Sequence, residues 1–129
     1  MITGINHIGL VVKSIDETIS FLNKIMDVEE LVRQELKPMG QISCEVQFGD
    51  SRYELMEPYG DKGVVPDFFS RTGSGFHHIS LKSDNFDEDI KKFRDAGVKI
   101  ISISELNGTR YAFTHPKTSG GILYEIAGK

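Results

Sequence analysis

Two histidines and two glutamates recur at one interval along this chain. His7 and His78 are 71 residues apart, and so are Glu54 and Glu125. Two imidazoles and two carboxylates form a donor set suited to a divalent transition ion, with room left in an octahedral shell for water or substrate oxygens. No thiolate belongs to the set, which excludes a cysteine-type structural zinc site, and open coordination positions imply catalysis. Taken singly, each residue has an ordinary reading, a strand histidine in a core or a strand glutamate facing solvent by alternation. The shared interval reverses that balance, because a duplicated fold has no structural need for matched polar groups.

The interval extends beyond the four residues. A shift of 71 positions lays His7-Ile8-Gly9-Leu10 on His78-Ile79-Ser80-Leu81 and Ile15-Asp16-Glu17 on Phe86-Asp87-Glu88. It also lays Ile19 on Ile90, Gly49 on Gly120, and Tyr53-Glu54-Leu55 on Tyr124-Glu125-Ile126. The chain therefore reads as one duplicated unit. We expect a single domain over 1–129, with module one at about 1–58, a linker at about 59–74 and module two at about 75–129.

The elements that must position these side chains follow from periodicity. In the first half, Ile5 to Val12 reads as a strand with His7 and Gly9 on one face. Ser14 or Asp16 can cap a helix whose Ile15, Ile19, Leu22 and Met26 pack on a sheet. Ile42 to Phe48 and Arg52 to Met56, joined at Gly49-Asp50, read as a hairpin. In the second half, Phe76 to Leu81 reads as a strand and Asp84 to Ala96 as a helix closed by Gly97. Lys99 to Ile103, Arg110 to Thr114 and Ile122 to Ile126 follow as strands, and a short helix over Pro66 to Arg71 interrupts the linker.

Composition narrows the class. The 129 residues are 39% hydrophobic and 26% charged, which is globular rather than disordered composition. A net charge of -4 argues against a general nucleic-acid surface but leaves room for a local basic pocket. The single cysteine, Cys44, fits a reducing cytoplasm and reads as buried filler. No apolar run approaches the ~20 residues that cross a bilayer, and the N-terminus lacks a signal-peptide pattern. The expectation is a cytoplasmic protein with neither nucleic acid nor membrane as partner.

The sequence resembles the vicinal oxygen chelate superfamily, which includes glyoxalases, bleomycin-resistance proteins and dioxygenases. The resemblance rests on His7-Ile8-Gly9-Leu10, on Tyr53-Glu54-Leu55-Met56-Glu57-Pro58, on Gly75-Phe76-His77-His78-Ile79, and on the run from Phe113 to Glu125. Those last two stretches look most like methylmalonyl-CoA epimerases and small bacterial glyoxalases. The resemblance implies an α+β fold of two tandem βαβββ modules, forming a curved mixed sheet around a metal-binding cleft. It implies His7, Glu54, His78 and Glu125 as ligands of one divalent ion (zinc, nickel, cobalt or manganese), and a homodimer. A glutamate at both carboxylate positions looks more like the isomerase and lyase branch than the dioxygenases. That branch removes a proton beside a metal-held carbonyl, with Glu125 as the leading base here and Glu54 as its partner or a pure ligand.

Two departures bear on the substrate. Some epimerases carry a further catalytic glutamate before the middle motif; ungapped counting puts Ser43 there, with Glu45 two residues later on the same face as the candidate acid-base group. The loop Leu106-Asn107-Gly108-Thr109-Arg110 is shorter than in relatives. The Ser119-Gly120-Gly121 loop could present N–H groups to an anion, with Arg110 and Lys117 nearby, which makes Arg110, Lys117 and Ser119 the candidate substrate contacts. His77 should face away from His78 by alternation, and His115 belongs to a turn before Pro116. The substrate expected is a small-molecule thioester or thiol adduct. The leading reading is an epimerase acting on an acyl-CoA such as methylmalonyl-CoA; the alternatives are a glyoxalase I on a methylglyoxal hemithioacetal and a non-catalytic antibiotic-binding protein.

Overall fold

The computed structural model describes residues 1–129. The chain is mixed α+β, and both halves have the order strand, helix, three strands. Module one comprises β1 (Ile2–Val11), α1 (Ile15–Leu22), β2 (Glu29–Leu36), β3 (Gln41–Phe48) and β4 (Ser51–Pro58). Helix α2 (Val64–Thr72) follows in the linker. Module two comprises β5 (Gly75–Ser83), α3 (Phe86–Asp95), β6 (Ile100–Leu106), β7 (Thr109–Thr114) and β8 (Tyr124–Gly128). No helix is long and apolar enough to cross a membrane.

By contacts the chain divides into two compact units, one of residues Ile8–His77 and one of Met1–His7 with His78–Lys129. The cuts fall inside β1 and β5, so the second unit takes the first residues of β1 for its own. In the Ile8–His77 unit the strand order is β2-β3-β4-β1, with β1 parallel to β4 and the other pairs antiparallel. In the other unit the order is β1-β5-β8-β7-β6, with β5 parallel to β8 and both β8–β7 and β7–β6 antiparallel. The parallel pairs share one register. Ile8, Gly9 and Leu10 stand opposite Tyr53, Glu54 and Leu55; Ile79, Ser80 and Leu81 stand opposite Tyr124, Glu125 and Ile126. Every member of the second set lies 71 residues beyond its counterpart, so the repeat is built into the ladders.

The helices begin the same way. Ser14 accepts from the Glu17 amide at 3.1 Å, and Asn85, 71 positions on, accepts from the Glu88 amide at 3.2 Å. Each cap satisfies a donor that the first helical turn leaves open. The next residue in each, Ile15 or Phe86, is almost fully buried against the sheet. Around Ile15 pack Val12, Cys44, Val46 and Leu55, while Phe86 packs with Ile90, Ala112 and Ile126. Burial of such side chains contributes about 1.5–3 kcal/mol each. In the Ile8–His77 unit α2 covers Val11 and Met56 through Val65.

Strand β2 is the element that the hydrophobic pattern did not mark. Its sequence, Glu-Glu-Leu-Val-Arg-Gln-Glu-Leu, is charged and mostly exposed because it forms an edge, paired to β3 alone. The loop after β6 is an Asn-Gly hairpin turn with Asn107 at φ 51 and Gly108 at φ 81, the left-handed pair that a two-residue I′ turn demands.

One glycine pair locks a loop. Gly40 has φ +78 and Gly63 φ +127; a Cβ on Gly40 would lie 2.1 Å from the Lys62 carbonyl oxygen, and one on Gly63 would lie 2.3 Å from that of Met39. The Tyr59 amide donates to the Gly40 carbonyl at 2.8 Å across the same approach. Backbone meets backbone here, so no side chain can yield. Gly40→Ala and Gly63→Ala should each cost at least about 3 kcal/mol, from the left-handed conformation plus the clash. Urea denaturation measures this; a loss below about 1 kcal/mol would refute the packing argument.

Candidate metal centre

In the unit of residues 1–7 and 78–129, three buried polar side chains converge. His7 lies on β1, His78 on β5 and Glu125 on β8, and none is more than 7% exposed. The Nε2 atoms of the two imidazoles face each other at 3.0 Å, with the rings nearly perpendicular. Glu125 Oε1 lies 3.6 Å from His7 Nε2. On the other side of the His7 ring, Nδ1 is 3.4 Å from the Asn6 side-chain oxygen. That neighbour favours the tautomer with hydrogen on Nδ1 and leaves the Nε2 lone pair directed at His78. The edge of Phe113 against the His78 ring, centroids 5.6 Å apart, supplies an apolar wall.

The donor geometry can be tested against an ion. Nitrogen ligands sit about 2.0–2.1 Å from zinc-like ions, so two at a right angle are separated by about 3.0 Å. The imidazole nitrogens are 3.0 Å apart. The separation of 3.6 Å to Glu125 also falls within the span of about 4.2 Å that one coordination sphere allows. Two borderline nitrogens and a carboxylate oxygen, all buried, fit a first-row divalent ion.

Ser80 completes this cluster and is the side chain that reading the sequence overlooked. It is fully buried and its Oγ donates to Glu125 Oε1 at 2.7 Å. The signal was present, since Ser80 lies two residues after His78 and therefore on the same strand face. Phe113 carried no such signal; its place opposite Glu125 depends on the β7–β8 register.

Glu54 belongs to the other unit, half-buried on β4, where it holds the register position that Glu125 holds in its own. The β3–β4 ladder sets Glu45 directly opposite Glu54 and Ser43 opposite Met56. Alternation thus gives Glu45 and Ser43 the same face as Glu54, and register makes Glu45 the immediate neighbour. Glu45 is half-buried, with the Arg52 guanidinium 3.9 Å from its carboxylate. Ser43 is buried and its hydroxyl accepts from the Gln41 side-chain Nε2 at 2.8 Å.

The remaining polar candidates are engaged locally. Arg110 grips Asp87 through both terminal nitrogens, at 2.8 and 3.1 Å, and its guanidinium lies 4.5 Å over the Phe86 ring. The guanidinium holds the Asp87 carboxyl below the usual carboxylate range. Ser119 bonds Thr114 Oγ1 and the Ile122 carbonyl, and Lys117 is exposed on the same turn. His115 accepts the Lys117 amide on Nδ1 at 3.2 Å, a turn contact. His77 meets the edge of Phe68, and burial lowers its basicity.

Cys44 lies in the core with its thiol 3.4 Å from a Glu30 oxygen. Desolvation, with the Glu30 carboxylate adding to it, pushes its pKa from 9.0 to about 11. The thiol is therefore poorly nucleophilic at neutral pH. The shift also carries a sign for stability. The folded state holds this proton more tightly, so the contribution is complete below pH 9 and is lost as pH rises towards about 11. Its size is about 2–3 kcal/mol. Denaturation of wild type and Cys44→Ala at pH 8 and pH 11 should differ in their pH dependence by that amount; parallel profiles would refute it.

Residues 6–113 match the Glyoxalase/Bleomycin resistance protein/Dioxygenase superfamily, and the chain belongs to that family. Among curated proteins it is 28% identical to the mitochondrial methylmalonyl-CoA epimerase of Dictyostelium discoideum, over 97% of this chain and 78% of that one. Among solved structures, a methylmalonyl-CoA epimerase of Streptomyces coelicolor in complex with 2-nitronate-propionyl-CoA superposes with a TM-score of 0.88 at 26% identity, covering 100% of this chain and 99% of that one. A hypothetical protein of Bacillus halodurans C-125 gives a TM-score of 0.86 at 29% identity, covering 97% and 93%.

Proposed function

We propose that this protein is a divalent-metal-dependent epimerase of an acyl-CoA thioester, acting on methylmalonyl-CoA or a close analogue. The observation that carries the reading is the buried meeting of His7, His78 and Glu125, with facing nitrogens spaced as cis ligands of one ion. The relatives named methylmalonyl-CoA epimerase, and the complex of one of them with a CoA-thioester analogue, support the substrate class. Glu54 is proposed as the fourth ligand, on the strength of its register equivalence to Glu125.

The ion, when bound, supplies positive charge that offsets the negative charge developing on a carbonyl oxygen as the neighbouring C–H is broken. The protein's own residues do the rest. Epimerisation requires one carboxylate to take the α-proton from one face and a second to return a proton to the other. Glu125 is the leading base, and its partner comes from Glu45 and Glu54, which the β3–β4 ladder sets side by side. The apolar edge of Phe113 beside His78 helps to keep water from the reacting carbon. Lys117 and Ser119 are proposed contacts for an anionic part of the substrate. Arg110 would join them only by releasing Asp87.

The test is exchange of the thioester α-hydrogen in deuterium oxide, followed by mass spectrometry. Cobalt-loaded protein should incorporate deuterium into methylmalonyl-CoA, protein stripped with a chelator should not, and restored ion should return the activity. Absence of exchange in the loaded protein would sink the reading, and formation of a lactoyl thioester from methylglyoxal and thiol would replace it with the glyoxalase reaction.

A further inference from the structure

Ser80 is completely buried, and its hydroxyl is committed to Glu125 Oε1 at 2.7 Å. The two residues are register partners on the parallel strands β5 and β8, so the contact spans a single step of the ladder. A glutamate side chain has three rotatable torsions. One short bond to a hydroxyl on a rigid neighbouring strand selects among the rotamers they allow. The rotamer selected here leaves Oε1 3.6 Å from His7 Nε2. A carboxylate offers about four lone-pair sites, so a bond from Ser80 leaves capacity for a cation.

The duplication argues against a purely structural reason for this hydroxyl. The corresponding parallel pair in module one, β1 with β4, is built in the same register with Gly9 where module two has Ser80. The ladder therefore forms without a side chain at this position. The carboxylate that this hydroxyl holds stands 3.6 Å from the His7 imidazole, which itself faces His78.

We infer that Ser80 is a positioning residue for the metal centre, orienting the Glu125 carboxylate so that it and the two imidazoles serve one cation. The inference rests on the metal reading given above. Hydrogen-bond partners of metal ligands typically contribute about 10–100-fold in metal affinity, and that is the effect expected of this hydroxyl.

Titration with Co2+, read by calorimetry and by the visible absorption of the bound ion, tests this without reference to turnover. Ser80→Ala and Ser80→Gly, both smaller than serine and the second matching Gly9, should bind Co2+ about 10–100-fold more weakly than wild type and show an altered visible spectrum. In a Glu125→Ala background, adding Ser80→Ala should change affinity by less than about twofold, because the side chain that Ser80 orients is already gone. Wild-type affinity and spectrum in a folded Ser80→Ala or Ser80→Gly protein would overturn the inference while leaving the metal reading intact. So would an equal loss from Ser80→Ala in both backgrounds. Failure of the wild-type protein itself to bind Co2+ would remove the metal reading, and the role of Ser80 with it.

Discussion

Glu125→Gln should leave the protein folded and lower turnover of the thioester by about 10²–10⁴-fold, the range that a positioned general base contributes. The amide is nearly the same size as the carboxylate and keeps an oxygen to accept the Ser80 hydroxyl, which donates at 2.7 Å in the native protein. It cannot carry the proton, and it lacks the charge that helps to hold a divalent ion. Glu125→Ala removes the acceptor as well and leaves a fully buried hydroxyl without its partner. That should add a stability loss of about 1–3 kcal/mol to the loss of turnover. The two variants therefore separate chemistry from folding: the amide should melt near wild type while inactive, and alanine should be inactive and less stable. Deuterium exchange of methylmalonyl-CoA and urea denaturation read the two effects. Turnover of Glu125→Gln within tenfold of wild type would remove Glu125 from the mechanism.

What sequence could reveal here depended on which features a duplication preserves. The interval of 71 residues was legible because the modules keep their glutamates in one register, Glu54 opposite Gly9 and Glu125 opposite Ser80. The first helix start was legible for a local reason, since Ser14, one of two candidate caps, satisfies an amide three residues on, whereas the second helix was expected from Asp84 and is capped by Asn85. Strand β2 was not, because an edge strand buries little on either face and shows no clean alternation. Nor could sequence choose between Ser43 and Glu45. Alternation gives both one face, and only the β3–β4 register sets Glu45 opposite Glu54. Arg110 illustrates a third limit. Its carboxylate partner, Asp87, lies 23 residues earlier on α3, so a basic residue near a glycine-rich loop looked available when it was engaged.

Asymmetry between the modules carries more functional information than their likeness. Likeness explains why a histidine and a glutamate occur twice. It does not explain why the carboxylate of module two has a buried hydroxyl on its register partner, while the register partner in module one is glycine. Nor does it explain why Glu45 faces Glu54 across the β3–β4 ladder while Phe113 faces Glu125 across β7–β8. One side of the duplication gives its glutamate an acidic register partner; the other gives it a hydroxyl and an aromatic register partner. Under the proposed two-carboxylate proton transfer, these differences would set the two groups apart.

A divalent ion at 1,000 times its dissociation constant should stabilise the folded protein by about 4 kcal/mol. For a chain of 129 residues this corresponds to a rise in melting temperature of roughly 10–20 °C. The effect follows from linkage, because the three donors come from β1, β5 and β8 and are brought together only in the folded chain. Without an ion, two buried imidazole nitrogens at 3.0 Å have one hydrogen bond at most to make between them. A cation can accept both lone pairs at once and place its charge beside the buried carboxylate. His78→Ala removes one donor and leaves a gap beside Phe113, so the variant should melt lower than wild type and gain little from added ion. Melting curves of chelator-treated and Co2+-loaded protein, for wild type and His78→Ala, make the comparison. Equal shifts in the two proteins would place the bound ion elsewhere, and no shift in wild type would mean that the two imidazoles face each other for packing alone.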